Sequence, residues 1–161
     1  MDIHAHKDPA EAGTLRFFYR DRRPTRFGRI VNNATAWLAA HGLTPPILLT
    51  LQVVGRKSGA LRSTVLVPAE VDGKRYLVSI LGEGSEWVRN LRASGGRAFI
   101  KRGASRPVRL VEIPPEERAP ILKEYCRVAT SGRLHFPVPF DAPASAFAPI
   151  AAEYPVFRVD E

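Results

Sequence analysis

Cysteine is almost absent from this sequence of 161 residues, which contains only Cys126. A single cysteine excludes a disulfide within the chain and any multi-cysteine zinc or iron–sulfur site built by one chain. Long apolar runs are also absent, since none approaches the roughly 20 residues that a bilayer-spanning helix needs. The segment from Met1 to Arg23 is polar and charged and lacks the apolar core of a secretory signal. These absences predict a protein of the reducing cytoplasm.

Acidic residues are few relative to basic ones. The sequence has 16 Asp and Glu against 24 Lys and Arg, which gives a formal net charge of +8. This surplus favours an anionic partner (nucleic acid, a membrane surface, or a phosphorylated or polycarboxylate small molecule), unless it serves only to keep the surface soluble. Hydrophobic residues at 45% and charged residues at 25% are typical of a globular protein. Length and composition together predict one domain over residues 1–161, with residues 1–13 as a frayed tail.

One amphipathic helix is predicted near the N-terminus, over Pro24–His41. Its apolar residues recur at helical spacing and form one stripe, and Gly42 suits a C-terminal stop. Arginines and aromatic residues crowd its start. They either contact a membrane surface or nucleic acid, or form a solvated helix face whose arginine stems cover the core. The stripe consists of Phe27, Ile30, Val31, Ala34 and Leu38.

Beyond this helix the apolar pattern changes to that of short strands. Tight turns, above all Asp72-Gly73, connect them without crossover helices, which predicts an antiparallel sheet. A short helix capped by Ser85 and a longer one broken or kinked at Pro120 interrupt the strands. We therefore predict an α+β fold, a small antiparallel barrel of five or six strands with helices packed outside. The predicted strands are 47–54, 61–71, 75–81, 97–101, 107–113 and 155–159, the predicted helices are 86–93 and 114–130, and 131–149 is predicted as a covering loop.

The stretch GRKSG, residues 55–59, lies between two predicted strands and is followed by Arg62. Its two glycines allow a turn whose backbone amides form an anion-binding nest. Lys57 offers a point charge, Ser58 a hydroxyl donor and Arg62 a planar fork suited to phosphate. The stretch is not a Walker loop, because the spacing of glycines before the lysine and a following helix are both missing. On its own it predicts either an anion site or a solvated basic turn.

A second constellation follows on the short helix. Trp87, Asn90 and Leu91 stand at positions i, i+3 and i+4, so their side chains share one helix face. An indole and a carboxamide on that face suit a planar heteroaromatic ring. The alternative is a core tryptophan with a capping asparagine.

Together, GRKSG-x-x-R, a hairpin and W-x-x-N-L-R-A resemble the deazaflavin (F420)-dependent nitroreductase and quinone reductase family. The resemblance runs from about Leu49 to Arg97 and continues more loosely to the terminal YPVFRV. It implies a split β-barrel that binds coenzyme F420, an 8-hydroxy-5-deazaflavin with a phosphate and a polyglutamate tail. The cofactor-binding residues that it implies are Arg56, Lys57, Ser58, Gly59 and Arg62 for the phosphate and tail, with Gly55 beside them, Ser79, Ile80 and Leu81 against the ring, and Trp87 and Asn90 at its border.

The resemblance implies an oxidoreductase that transfers a hydride from reduced F420 to a small electron-poor acceptor such as a quinone, an enone or a nitro compound. The cofactor supplies this chemistry, so hydride transfer itself demands no catalytic side chain. Ser79, Tyr125 and His135 are the candidates for a proton donor. Members that reduce nitro compounds carry a cluster of tyrosines after the last helix, where this sequence has CRVATSGRLHFPVPF, so its acceptor pocket departs from theirs.

Several alternatives stay open. FMN is the alternative cofactor, because split barrels and a phosphate anchor also suit a flavin. A non-catalytic protein that holds a lipid or the cofactor is the alternative function. Nucleic-acid binding has no recognisable module behind it, and no cluster of ligand residues predicts a metal. We expect a small-molecule acceptor, a monomer or homodimer, and no peripheral membrane contact.

Overall fold

The structure, a computed structural model, describes residues 19–20, 23–24 and 48–161. Tyr19–Arg20 (β1) and Arg23–Pro24 (β2) pair as two short antiparallel strands. Pro24 is therefore extended rather than the first residue of a helix. The rest of the predicted helix and the predicted tail over residues 1–13 lie outside the described residues.

Seven strands form the main sheet, and every neighbouring pair is antiparallel. The sheet curls into a half-barrel, which confirms the predicted α+β split barrel. Its strand order is β4-β3-β7-β8-β9-β6-β5. The strands are β3 (Leu49–Val54), β4 (Leu61–Leu66), β5 (Pro68–Val71), β6 (Lys74–Val78), β7 (Arg97–Arg102), β8 (Ala104–Glu112) and β9 (Val156–Asp160).

The sheet has one strand more than the five or six expected because the segment predicted as one strand, 61–71, is two. Val67 is not in a strand, and the chain on either side of it pairs with different partners. As a result β4 and β5, although adjacent in sequence, form the two opposite edges of the sheet. Alternation of apolar residues continues through Val67, so the sequence pattern carries no sign of this break.

The Asp72-Gly73 turn joins β5 to β6 as predicted. Both residues have positive φ, 51° and 70°, which is the backbone of the two-residue hairpin turn that matches strand twist. Aspartate and glycine are among the few residues that adopt this conformation at low cost, so the turn fixes the register of the hairpin.

Two α-helices lie among residues 48–161: α1 (Glu86–Ala93) and α2 (Ala119–Val128). Ser85 occupies the N-cap position of α1, but its side chain makes no capping hydrogen bond, contrary to expectation. Pro120 lies in the first turn of α2, and the predicted 114–130 helix is split into a 3-10 turn and α2. The predicted loop 131–149 contains more helical turn than expected. The 3-10 segments are Gly82–Gly84, Pro115–Glu117, Gly132–His135 and Ala144–Glu153.

Buried side chains form two clusters on the two faces of the sheet. Leu77 and Val78 are neighbours on β6, and because successive strand residues point to opposite faces, they belong to different clusters. The Leu77 cluster includes Val88 and Leu91 of α1, and the Val78 cluster includes Leu122 of α2. Each helix thus covers its own face of the half-barrel.

Cys126 lies in the α2 cluster and is fully buried. Burial raises the pKa of its thiol to about 12, because the apolar surroundings disfavour the thiolate. This is the buried structural cysteine rather than a reactive one. In the part of the chain that the structure describes, no group of three or more His, Cys, Asp or Glu is placed to hold a metal ion, and no helix is long and apolar enough to cross a bilayer.

Candidate functional site

Two segments of the predicted site lie at the same end of the sheet. Between β3 and β6 stand three strands, each antiparallel to the next, so β3 and β6 run in the same direction. The GRKSG turn follows β3, and residues 79–81 follow β6. Helix α1 begins a few residues after the second segment and contacts the first. The structure therefore brings together the turn, the β6 end and α1.

The GRKSG turn closes the β3–β4 hairpin through its own backbone. The N–H of Gly55 donates to the Ala60 carbonyl at 2.8 Å, and the N–H of Gly59 donates to the Gly55 carbonyl at 2.8 Å. Gly59 has a φ of 69°, which a residue with a Cβ adopts only at a cost. The hydroxyl of Ser58 accepts from the N–H of Ala60 at 3.3 Å and keeps its own proton for a ligand.

Arg56 ties this turn to α1. Its backbone N–H and its Nη1 both donate to Oδ1 of Asn90, at 3.1 and 2.8 Å, and Nη1 also donates to Oε2 of Glu86 at 2.8 Å. Asn90 is only 5% exposed. The hydrogen bond from Arg56 lowers the pKa of the Glu86 carboxyl, so this pair is ionised at neutral pH.

Lys57 and Arg62 are the exposed cations of the turn. Neither takes part in the ion pairs formed within residues 48–161. Arg62 stands directly opposite Val53 in the β3–β4 register, so both side chains are on the sheet face that α1 covers. Within residues 48–161, two exposed cations outside any ion pair therefore lie at this turn.

Residues 79–81 form a fixed turn after β6. Ser79 is 1% exposed; its N–H donates to the Pro155 carbonyl at 2.9 Å and its hydroxyl donates to the Gly82 carbonyl at 2.9 Å. The hydroxyl proton of Ser79 is thus already engaged by the backbone. Ile80 and Leu81 are half-buried and form the accessible part of this turn.

Trp87 packs into the core on the α1 face. Its ring is 8% exposed and meets Phe157 edge to face, with ring centroids 5.4 Å apart. Trp87, Asn90 and Leu91 are all buried, so they share one face as their spacing indicates. The alternative of a core tryptophan with a capping asparagine therefore holds for Trp87, which packs in the core. It does not hold for Asn90, which binds Arg56 instead of capping a helix. Contact of Trp87 and Asn90 with a ring stays a prediction.

Tyr125 and His135 lie on the other face, near the α2 cluster. Tyr125 is buried, and its ring centroid is 5.9 Å from that of Phe136. His135 is half-buried, and its carbonyl accepts from the Tyr154 hydroxyl at 2.9 Å. Ile80 packs against the same cluster, so the turn after β6 contacts this face of the sheet.

Glu86 is the residue of this site that sequence reasoning missed. It lies one helical turn before Asn90 on α1, and both bind Arg56. The spacing of the two was visible in the sequence, but nothing there linked α1 to residue 56, since 30 residues separate Arg56 from Glu86.

Comparison with known proteins identifies a family and related folds. The family model described as F420H2-dependent quinone reductase matches residues 27–131. No curated protein matches the chain. Among solved structures, a domain-swapped dimer is similar over 84% of this chain and 94% of its own, with 20% identity and a TM-score of 0.52, which supports the fold alone.

Two further structures are more distant in shape. An F420-H2 dependent reductase, FDR-A, has 20% identity and a TM-score of 0.47 over 71% of this chain and 95% of its own. The conserved hypothetical protein Rv2991 from Mycobacterium tuberculosis has 18% identity and a TM-score of 0.49 over 74% of this chain and 75% of its own. The family match spans the GRKSG turn, the β6 end and α1, the three elements that the fold brings together. The chain belongs to the F420H2-dependent quinone reductase family.

Proposed function

We propose that this protein is a reductase that takes a hydride from reduced F420 and gives it to a small electron-poor acceptor, namely a quinone, an enone or a nitro compound. The observation that carries the proposal is the exposed, cationic GRKSG turn clamped by Arg56 onto α1. The family match supports F420 as the cofactor.

The chemistry of the turn fits the anionic part of F420. A phosphate and a polyglutamate tail need several cations and N–H donors, and Lys57, Ser58 and Arg62 offer these at the surface. Because Lys57 and Arg62 have no acidic partner within residues 48–161, binding an anion breaks no ion pair there. We assign the phosphate and the start of the tail to these three residues, and we assign to Gly55 and Gly59 the shape of the turn that presents them, because the N–H groups of both glycines are engaged within the turn.

Arg56 has a different role in this proposal from that of its neighbours. Its guanidinium is already bound to Asn90 and Glu86, so it holds the turn against α1 and reaches the cofactor only through the geometry of the turn. Asn90 accordingly supports the phosphate side of the site as well as the border of the ring.

The ring side of the site is assigned to the turn after β6. When bound, reduced F420 supplies the hydride, and the protein binds and orients it. Ile80 and Leu81 offer a half-buried surface for a planar ring, and Trp87 stiffens the first turn of α1 next to them. Ser79 orients this turn, since its hydroxyl is engaged by Gly82. We keep Tyr125 and His135 as the proton-donor candidates.

A side-by-side titration tests this proposal. The purified protein is titrated with F420, FMN, FAD and NADPH while ligand or tryptophan fluorescence is followed, and reduced F420 is then offered a panel of quinones, enones and nitro compounds. We expect tight binding of F420 and acceptor-dependent oxidation. Binding of FMN without F420 overturns the cofactor assignment, and binding of F420 without turnover favours a non-catalytic binding protein.

A further inference from the structure

We propose that Arg92 and Arg118 are positioning residues for the turn at residues 79–85, which they join to β8 and to the start of β9. A chain of contacts leaves this turn at Glu83 and returns to it at Ser79. The effect that we expect on catalysis rests on the proposed function. The link between Glu83 and Ser79 through the two arginines rests on the contacts alone.

The first anchor is the backbone of the turn. The N–H of Ser79 donates to the Pro155 carbonyl at 2.9 Å, which fixes the end of β6 to the residue before β9. Within the turn, the N–H of Gly82 donates to the Ser79 carbonyl at 3.1 Å, and the N–H of Ser85 donates to the Gly82 carbonyl at 3.2 Å. This anchor holds only the beginning of the turn to the sheet.

The second anchor is the guanidinium of Arg92, which lies between two carboxylates. Its Nη1 and Nη2 donate to the two oxygens of Glu83, and its Nε and Nη2 donate to Glu112 at 2.9 and 2.6 Å. A planar fork is suited to such double pairing. The hydrogen bond from Arg92 lowers the pKa of Glu83, in keeping with a persistent pair. The far end of the turn is thereby joined to the end of β8.

Arg118 completes the chain. It is 4% exposed, and its Nη2 donates to Oε1 of Glu112 at 3.2 Å. Its Nε donates to the Ile113 carbonyl at 2.7 Å, and its Nη1 donates to the carbonyls of Ala151 and Tyr154, both at 3.2 Å. Tyr154 is bonded covalently to Pro155, whose carbonyl accepts the hydrogen bond from the N–H of Ser79. The path is therefore closed, from Ser79 through Arg118 and Arg92 back to Glu83.

Such a closed path matters because Ile80 and Leu81 stand between its two ends. Hydride transfer is sensitive to the placement of the donor, and a shift of about 1 Å can cost on the order of 100-fold in rate. Partly exposed ion pairs such as Arg92–Glu83 contribute little to overall stability. We therefore expect their loss to loosen the turn locally rather than to unfold the protein.

The test compares Arg92→Gln and Glu83→Gln with Arg127→Gln, which removes an exposed ion pair within α2 that is not part of this chain of contacts. The first readout is amide hydrogen exchange of the protein without cofactor. We expect exchange at Gly82 and Ser85 to rise about tenfold in the two turn variants, because each of these amides depends on the local fold of the turn. The control is expected to exchange like the parent.

The second readout is kinetic. In the turn variants kcat at saturating F420 should fall by about 10- to 100-fold while the Kd of F420 stays within about threefold, since the phosphate side is untouched. Arg92→Lys, which keeps the charge but cannot fork between two carboxylates, should recover part of kcat. Unchanged exchange in a folded Glu83→Gln protein overturns the proposal. So does faster exchange with unchanged kcat. Failure of the parent to bind F420 overturns the proposed function instead, and the exchange result still decides the link.

Discussion

The amide oxygen of Asn90 accepts two hydrogen bonds from one residue, the backbone N–H of Arg56 at 3.1 Å and its Nη1 at 2.8 Å. Through this contact a buried helix side chain determines where an exposed hairpin turn lies. The turn that we propose as the anion site and helix α1 are therefore mechanically linked.

Asn90→Ala is expected to destabilise the protein by about 1–3 kcal/mol, because two donors of Arg56 lose their acceptor in a partly buried place. Urea unfolding with an unchanged m-value measures this loss. The affinity for F420 should fall as well, since the turn is no longer held. Asn90→Asp, which keeps an acceptor oxygen, serves as the matched control and should retain most of both properties.

Lys57→Ala and Arg62→Ala should each weaken F420 binding by about 10- to 150-fold, as expected for one charged hydrogen bond of roughly 1.5–3 kcal/mol. The saturated rate should change little, because we assign both residues to groups far from the reacting carbon. High salt should shrink both effects. Arg102→Ala is the control, because Arg102 is an exposed arginine at the end of β7 that lies away from the GRKSG turn. Affinities within twofold of the parent for both turn variants would show that the turn charges are only solvated.

Trp87 calls for a conservative change because it is a core residue. Trp87→Ala is expected to cost about 3–5 kcal/mol of stability, which confounds any kinetic reading. Trp87→Phe keeps an aromatic partner for Phe157 and should fold. If Trp87 also borders the ring, this variant lowers the saturated rate as well as the affinity, measured by steady-state kinetics with reduced F420. A change in unfolding free energy alone would restrict Trp87 to the core.

The ion pair between Arg56 and Glu86 should weaken in acid. The hydrogen bond from Arg56 lowers the pKa of Glu86 in the folded protein, so the pair stabilises the fold above the ordinary glutamate pKa of about 4.3. That contribution is lost as the pH falls from the ordinary pKa of glutamate through the lowered pKa of Glu86 in the folded protein. Denaturant midpoints between neutral pH and pH about 3 should therefore drop less in Glu86→Gln than in the parent. Equal drops would mean that the ion pair does not stabilise the fold.

Cys126 should resist thiol reagents in the folded protein. Its burial raises the pKa of the thiol to about 12, so almost no thiolate is present near neutral pH. A disulfide reagent at pH about 8 should modify it only after denaturation, when its pKa returns to about 8.5. Rapid modification of the native protein would show that the α2 cluster opens readily.

Much of the fold was predictable because its signals are local. The Asp72-Gly73 turn, helix α1 and strand β9 follow from turn chemistry and periodicity within a few residues. The break at Val67 was not predictable. The strands on either side of it differ only in the strands with which they pair, β3 for β4 and β6 for β5, and these partners are set by long-range contacts. Local pattern cannot distinguish one long strand from two that pair at opposite ends of a sheet.

The site, like the fold, has features that the sequence could predict and features that it could not. Residue types in the GRKSG turn predict an anion site, and the family resemblance implies which residues would border a ring. The assignment of Arg56 to structure, and the link from Glu83 through Arg92 to Arg118, depend on contacts between residues distant in sequence. No spacing rule reports such contacts, so only the structure separates the cations that face solvent from those that hold the site together.

The most direct test of the account is transfer of a label from cofactor to acceptor. An enone is incubated with the protein and reduced F420 that carries deuterium at both hydrogen positions of the carbon that donates the hydride, and the product is analysed by mass spectrometry. The account predicts a saturated ketone that carries one deuterium at its β-carbon and a solvent proton at its α-carbon, with F420 left oxidised. A reduced product without deuterium, or no reduction by a protein that binds reduced F420, would contradict it.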